Sequence, residues 1–175
     1  MDNTLHIIAI WLHILGIALL VGPQFFLAFA WVPVARTITD MPTRIRLTRT
    51  LTRRFGYLGG AGLVLIIVAG SYLIASWRDF YAQPDIGFTD LRYGVLFIVK
   101  MSIFIVMLAL LALHTFTVGP RLIDQMEAHT AGKATEADVR RARTMSMALS
   151  ISGLVLALAL MVLGVMMNTT EFSMA

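Results

Sequence analysis

Three histidines, one lysine, one glutamine and a scatter of methionines are the side chains here whose types and spacing could do chemistry. His6 and His13 are seven residues apart and Gln24 stands eleven further on. On a helix each interval comes within about 20° of whole turns, so the three share one face. Lys100, Met107 and His114 recur every seven residues and make a second stripe. Imidazole with thioether suits copper, and Met favours the cuprous ion. Imidazole also serves as an axial haem ligand, which makes haem b the alternative cofactor. A desolvated lysine in such a site could pair with a haem propionate or carry a proton.

What surrounds these residues is apolar. Of 175 residues 58% are hydrophobic and only 14% charged, against roughly 45–50% and 25% in soluble globular proteins. Mean hydropathy is +0.81. A chain with so few charges cannot cover a soluble surface, and disorder requires the opposite bias. With no cysteine, disulfides, thiolate metal sites and thiol nucleophiles are excluded. Phosphate-binding glycine loops, the zinc-protease helix motif and the Gly-x-Ser-x-Gly elbow are also absent. The reading is an all-α integral membrane four-helix bundle, a single domain over residues 1–175.

Four apolar stretches reach the length of about 20 residues that a bilayer demands: residues 5–35, 55–77, 93–118 and 145–167. The 14 Lys and Arg residues divide between their connections. The first carries Arg36, Arg44, Arg46, Arg49, Arg53 and Arg54; the third carries Arg121, Lys133, Arg140, Arg141 and Arg143; the second has Arg78 and Arg92 beside three aspartates. By the positive-inside rule the first and third connections are cytoplasmic and both termini lie outside. The chain is expected in the inner (plasma) membrane as a multi-pass protein, its first segment a retained helix rather than a cleaved signal. The basic residues then report topology, and nucleic acid is not an expected partner. Arg46, Arg49 and Arg53 either anchor the chain in the ordinary way or meet anionic headgroups.

Several elements are marked locally. Asp40 and Pro42 read as a cap ahead of a basic amphipathic turn leading into helix II. Thr135-Glu136-Ala137-Asp138 resembles a capping box that starts helix IV before the membrane, and Gly132 marks the bend before it. Trp77, Phe80, Tyr81 and Tyr93 fit an outer aromatic belt; Trp31, Phe55 and Tyr57 fit an inner one. Val21-Gly22-Pro23 and Val118-Gly119-Pro120 hint at a repeated break in helices I and III.

Depth groups the polar residues. His13 lies eight residues beyond Leu5 and Lys100 eight beyond Arg92, so both sit about 12 Å below the outer face. Met161, six residues before Met167, is roughly 9 Å down, and His6 is at the rim. The expected outer layer is His6, His13, Lys100 and Met161, with His6, His13 and Met161 as metal ligands. Gln24 and His114 fall lower, at comparable depths, as an inner relay. Lys100 is the only formally charged residue within the four spans, a costly placement that marks a functional candidate. Each assignment has a plainer counterpart. Lys100 can snorkel outward, and His13 can bond a carbonyl on another helix. His6 can be interfacial, and methionine fills cores. The helix II glycines Gly59, Gly60, Gly62 and Gly70 admit a neighbouring helix or a flat macrocycle.

Arg53-Arg54-Phe55, then Val68-Ala69-Gly70-Ser71-Tyr72-Leu73, then Asp90, Tyr93-Gly94, Leu96 and Lys100 together resemble the copper resistance D (CopD) domain. That domain joins an Arg-rich opening and a Gly-ended helix to a Tyr-Gly-x-Leu…Lys helix. The resemblance covers roughly residues 45–125. Helix I, with His13 just ahead of Gly16, is similar to the opening of a wider superfamily that includes HemJ-type protoporphyrinogen oxidases. These share the four-helix plan, with a His in helix I and a Lys in helix III. By position those cofactor-binding roles fall on His13 and Lys100. Where CopD-like chains carry Trp-x-Gly-Gly, this one has Leu20-Val21-Gly22-Pro23. The resemblance implies copper bound on the outer side and carried inward, with a homo-oligomer or a periplasmic copper protein as partner. The alternatives are a haem b redox protein and a cofactor-free scaffold.

Overall fold

The computed structural model describes residues 3–77 and 87–169. Arg78, Asp79, Phe80, Tyr81 and Asp85, and with them half of the expected outer aromatic belt, lie outside the described residues. Four helices form: α1 (Asn3–Thr37), α2 (Met41–Ala75), α3 (Arg92–Thr130) and α4 (Glu136–Met167), each long and apolar enough to cross a membrane. Their outer surface is a belt of exposed apolar side chains, such as Trp11, Phe29, Val64, Ile105, Phe116 and Val165. In water such a surface would drive aggregation, whereas in a bilayer it faces lipid.

Three helices run well past the apolar spans at the end that carries the Arg-rich connections. The Asp40 carboxylate accepts the Thr43 N–H at 2.9 Å and caps α2. Thr135 and Asp138 exchange bonds of 3.0 and 3.2 Å in a capping box on α4. Gly132, the one positive-φ residue among those described, turns the chain between α3 and α4 at φ 70°. Caps of this kind satisfy backbone N–H groups that a helix start leaves without a partner. The extensions hold together through their own core of Ile45, Met126 and Val139. An ion pair at 2.8 Å between the largely exposed Arg49 and Glu127 lies on its surface.

Helices α1 and α3 each widen into one π-helical stretch, Phe26–Trp31 and His114–Val118. Val32 N–H there donates to the Leu27 carbonyl, and Gly119 N–H to that of His114. Each stretch ends two residues before a proline, Pro33 and Pro120. A proline ring clashes with the carbonyl four residues back and offers it no N–H, and a wider turn relieves both problems. The repeated break therefore pairs Pro33 with Pro120. Pro23, the partner suggested by the Val-Gly-Pro match, sits inside regular α-helix.

The helices associate as two pairs. The contact of α1 with α2 is the most extensive, that of α3 with α4 the next; α1 touches α4 lightly, and α2 meets α3 over Gly119–Thr130. Small residues bring α1 and α2 together. A Cβ on Gly16 would lie 2.7 Å from the Gly62 carbonyl oxygen, and one on Gly62 2.6 Å from that of Gly16. The backbones thus touch, the usual means of helix association where lipid removes the hydrophobic drive. Gly60, by contrast, has nothing near it, and Gly59 meets only Leu20 at an ordinary distance.

Along its length the bundle has three layers. At the end where α1 begins, Trp77, Leu91, Tyr93 and Met167 are buried, with the partly buried Phe88 and Phe97 packed against them. Trp77 stacks on Tyr93 with centroids 6.3 Å apart, and Phe88 meets Trp77 edge-on at 4.9 Å. Trp77 and Tyr93 are thus turned inward; the aromatic-belt expectation misses this because hydropathy does not say which way a ring faces. Leu20, Val21, Met107 and Ala157 form the middle layer. The cap of helix extensions closes the Arg-rich end.

Candidate functional site

Between the aromatic layer and the middle core lies a cavity of about 500 Å³, bounded by all four helices. It exists because the two pairs are each closed within themselves but stand apart from one another at this level. His6 and His13 from α1, Lys100 from α3 and Met161 from α4 all line it, together with Met101, Met107 and Met167. The rest of the wall is mainly aliphatic and aromatic, relieved by Ser71, Tyr93 and Asn168.

His13 is positioned by the glycine crossing. Three residues from Gly16, it sits against α2, where its Nδ1 lies 3.2 Å from the Ile66 carbonyl oxygen. Only an N–H can donate to a carbonyl, so Nδ1 carries the proton and Nε2 keeps its lone pair. A backbone carbonyl on the other ring nitrogen is the usual support for a metal-ligating histidine. The plainer role expected for His13, a bond to a neighbouring helix, is thus met by one nitrogen and leaves the second available. Gly70 makes room for the ring: a Cβ there would stand 3.2 Å from the His13 Cε1. His6 is buried, at 8% exposure.

Lys100 is half-buried. Its ammonium reaches α4, where a Cβ on Gly164 would lie 3.5 Å from Nζ. The stem leans toward the end of α4, as snorkelling requires, but the head stays within the cavity wall. Met161 is half-exposed at 42%. Among the described residues no three His, Cys, Asp or Glu side chains could hold a metal together. The donor side chains lining the cavity are imidazole and thioether, with the Lys100 amine and the polar groups of Ser71, Tyr93 and Asn168.

The lower pair behaves differently. Gln24 Nε2 donates to the Leu20 carbonyl of its own helix at 3.2 Å. His114 Nε2 meets the hydroxyls of Ser146 and Ser150 on α4 at 3.0 and 3.2 Å. No hydrogen bond joins Gln24 to His114, and neither lines the cavity. The depth estimate puts them at one level, but the middle core closes the bundle above them. Sequence reasoning did not single out Met101 or Ser71, nor the two serines beside His114. The four-residue spacing of Ser146 and Ser150 was the available signal for that contact, since it places both hydroxyls on one face.

Comparison with known proteins adds one finding. A family model described as CopD, copper resistance protein D, matches residues 49–167, more than half of the chain. The matched stretch takes in Lys100, Met161, most of α2 and all of α3 and α4, whereas His6 and His13 on α1 precede it. No curated protein and no solved structure matches the chain.

Proposed function

The chain belongs to the copper resistance protein D family, a multi-pass inner-membrane protein related to copper resistance, and on that premise we propose that it takes up cuprous ion in the cavity and assists its passage inward. The observation that supports this is the lining itself. Two histidines from α1 and the methionines of α3 and α4 face one enclosure of about 500 Å³, and that donor set suits the soft cuprous ion. The distribution of basic residues supports the direction. Eleven of the 14 lie in the first and third connections, which the positive-inside rule assigns to the cytoplasm. The cavity then opens in the outer half, where a periplasmic copper protein would deliver its cargo.

In this reading His13 is the fixed ligand, oriented by Ile66. His6 stands nearer the outer face, and Met161 brings sulfur from the opposite helix pair. Thioethers bind without losing a proton and carry no charge, so they hold the ion loosely enough to release it. Gln24 and His114 would serve the inner half of the path only if the middle core opened between them.

A second reading, haem b, is favoured by one observation: the cavity is far larger than an ion needs, and Lys100 lies in its wall. His13 Nε2 would be the axial ligand and Lys100 the partner of a propionate; the bound haem would supply one-electron chemistry. A visible spectrum and a metal assay on protein purified in mild detergent separate the two. Stoichiometric copper, without a Soret band and diminished in His13→Ala, is the expected result. A Soret band lost in His13→Ala would replace copper with haem, and a colourless, metal-free protein after reconstitution would sink both.

A further inference from the structure

Lys100 is a cation in an apolar chamber with no carboxylate among the described residues that line it. Among the described residues it forms no hydrogen bond and no ion pair. Its ammonium lies beside Gly164 of α4, where a Cβ would stand 3.5 Å from Nζ. A half-buried charge of this kind is costly unless something of opposite sign meets it. The copper reading does not supply that partner, because a cuprous ion is itself positive.

The rest of the chamber says what the partner looks like. Its volume of about 500 Å³ falls within the roughly 300–1,000 Å³ range of sites that enclose an organic molecule. Ile14, Ile67 and Val165 belong to the lining yet are about half-exposed or more, so the cavity opens sideways at the depth of the lipid chains. A ligand can therefore enter from the bilayer without crossing water. We propose that the cavity binds a long-chain monocarboxylate of the fatty-acid class, its acyl chain along the aliphatic wall and its carboxylate on the Lys100 ammonium. Two features of one occupant account for two features of the site: the tail for the apolar lining, the head for the unpaired cation. A neutral lipid would satisfy the first alone.

The inference stands apart from the copper reading and is tested on metal-free protein. The full chain in a non-ionic detergent is titrated with palmitate and with hexadecanol, and bound ligand is counted by native mass spectrometry. Palmitate should bind at least tenfold more tightly than hexadecanol. Lys100→Met should abolish that preference while leaving hexadecanol binding unchanged, and Lys100→Arg should retain it. Equal affinity for the acid and the alcohol in the unaltered protein overturns the proposal, as does a preference for palmitate that survives in Lys100→Met. Should Lys100→Met not be recovered folded, the comparison of the two ligands on the unaltered chain decides by itself. Failure here leaves copper binding untouched, since the metal assay has its own readout.

Discussion

The two ends of the bundle treat their polar residues in opposite ways. Toward the Arg-rich end His114 is held by Ser146 and Ser150, Gln24 by its own helix, and Arg49 by Glu127. Toward the other end His13 uses one nitrogen to fasten itself to Ile66, and Lys100 has no partner at all among the described residues. Both ends are built from the same long apolar helices, so composition does not separate them. The gap between the helix pairs does: where the pairs meet, polar groups are used up on carbonyls, hydroxyls and an ion pair, and where they part, such groups are left facing a chamber. A polar residue in a membrane helix is therefore a functional candidate only if its neighbours leave it work to do.

That contrast can be broken from its foundation. Gly62→Leu drives a side chain into the Gly16 carbonyl, 2.6 Å from where its Cβ would stand. The expected cost exceeds the roughly 1–3 kcal/mol typical of an overfilled core, and His13 loses its anchor with it. Size-exclusion chromatography and thermal unfolding should show little folded protein, whereas Gly60→Leu, in open space, should be tolerated.

A finer cut compares the two histidines. His13→Ala should lower copper affinity at least tenfold, while His114→Ala should leave it unchanged. The latter instead loses its bonds to α4, a destabilisation of about 0.6–1.7 kcal/mol. Copper titration and unfolding midpoints measured on the same two variants check both halves of the statement. Equal effects on copper would erase the distinction between the ends.

Smaller effects belong to the cap. Hydrogen bonds from the Thr43 hydroxyl, and then from its amide N–H, hold the Asp40 carboxyl below the usual carboxylate range. A depressed folded pKa contributes stability that is present above the unfolded value of about 3.9 and is lost as pH falls through the lower folded value. The advantage of the native chain over Asp40→Ala in thermal unfolding should therefore hold down to about pH 5 and shrink as pH falls below about 4. Smallest of all is Arg49→Ala. Its ion pair is about half-exposed on each side, and the change in stability should stay within about 1 kcal/mol.

Much of this was legible in the residues. Four apolar stretches, the caps at Asp40 and Thr135, and the bend at Gly132 all follow from local rules that need no partner. Depth along a helix is also local, which is why counting residues put His13, Lys100 and Met161 at one level. What could not be read is how the helices close on each other. The Gly16–Gly62 contact, the separation of α1 from α3, and the inward turn of Trp77 and Tyr93 depend on pairs of surfaces rather than on one. The same limit joined Gln24 to His114, two residues that share a depth but not a space. The π-helical turn of α1 was hidden because the glycine-proline match pairs Pro23 with Pro120, while the proline that matters in α1, Pro33, carries no such flag.

The central claim is that the open end holds copper through imidazole and thioether together. X-ray absorption at the copper edge, on protein loaded with one equivalent of cuprous ion, tests it most directly. The account predicts mixed nitrogen and sulfur scattering; because the chain has no cysteine, that sulfur can only be methionine, and the sulfur signal should weaken in Met161→Leu. A site with nitrogen and oxygen alone, or a sulfur signal indifferent to Met161 together with a nitrogen signal indifferent to His13, would contradict it.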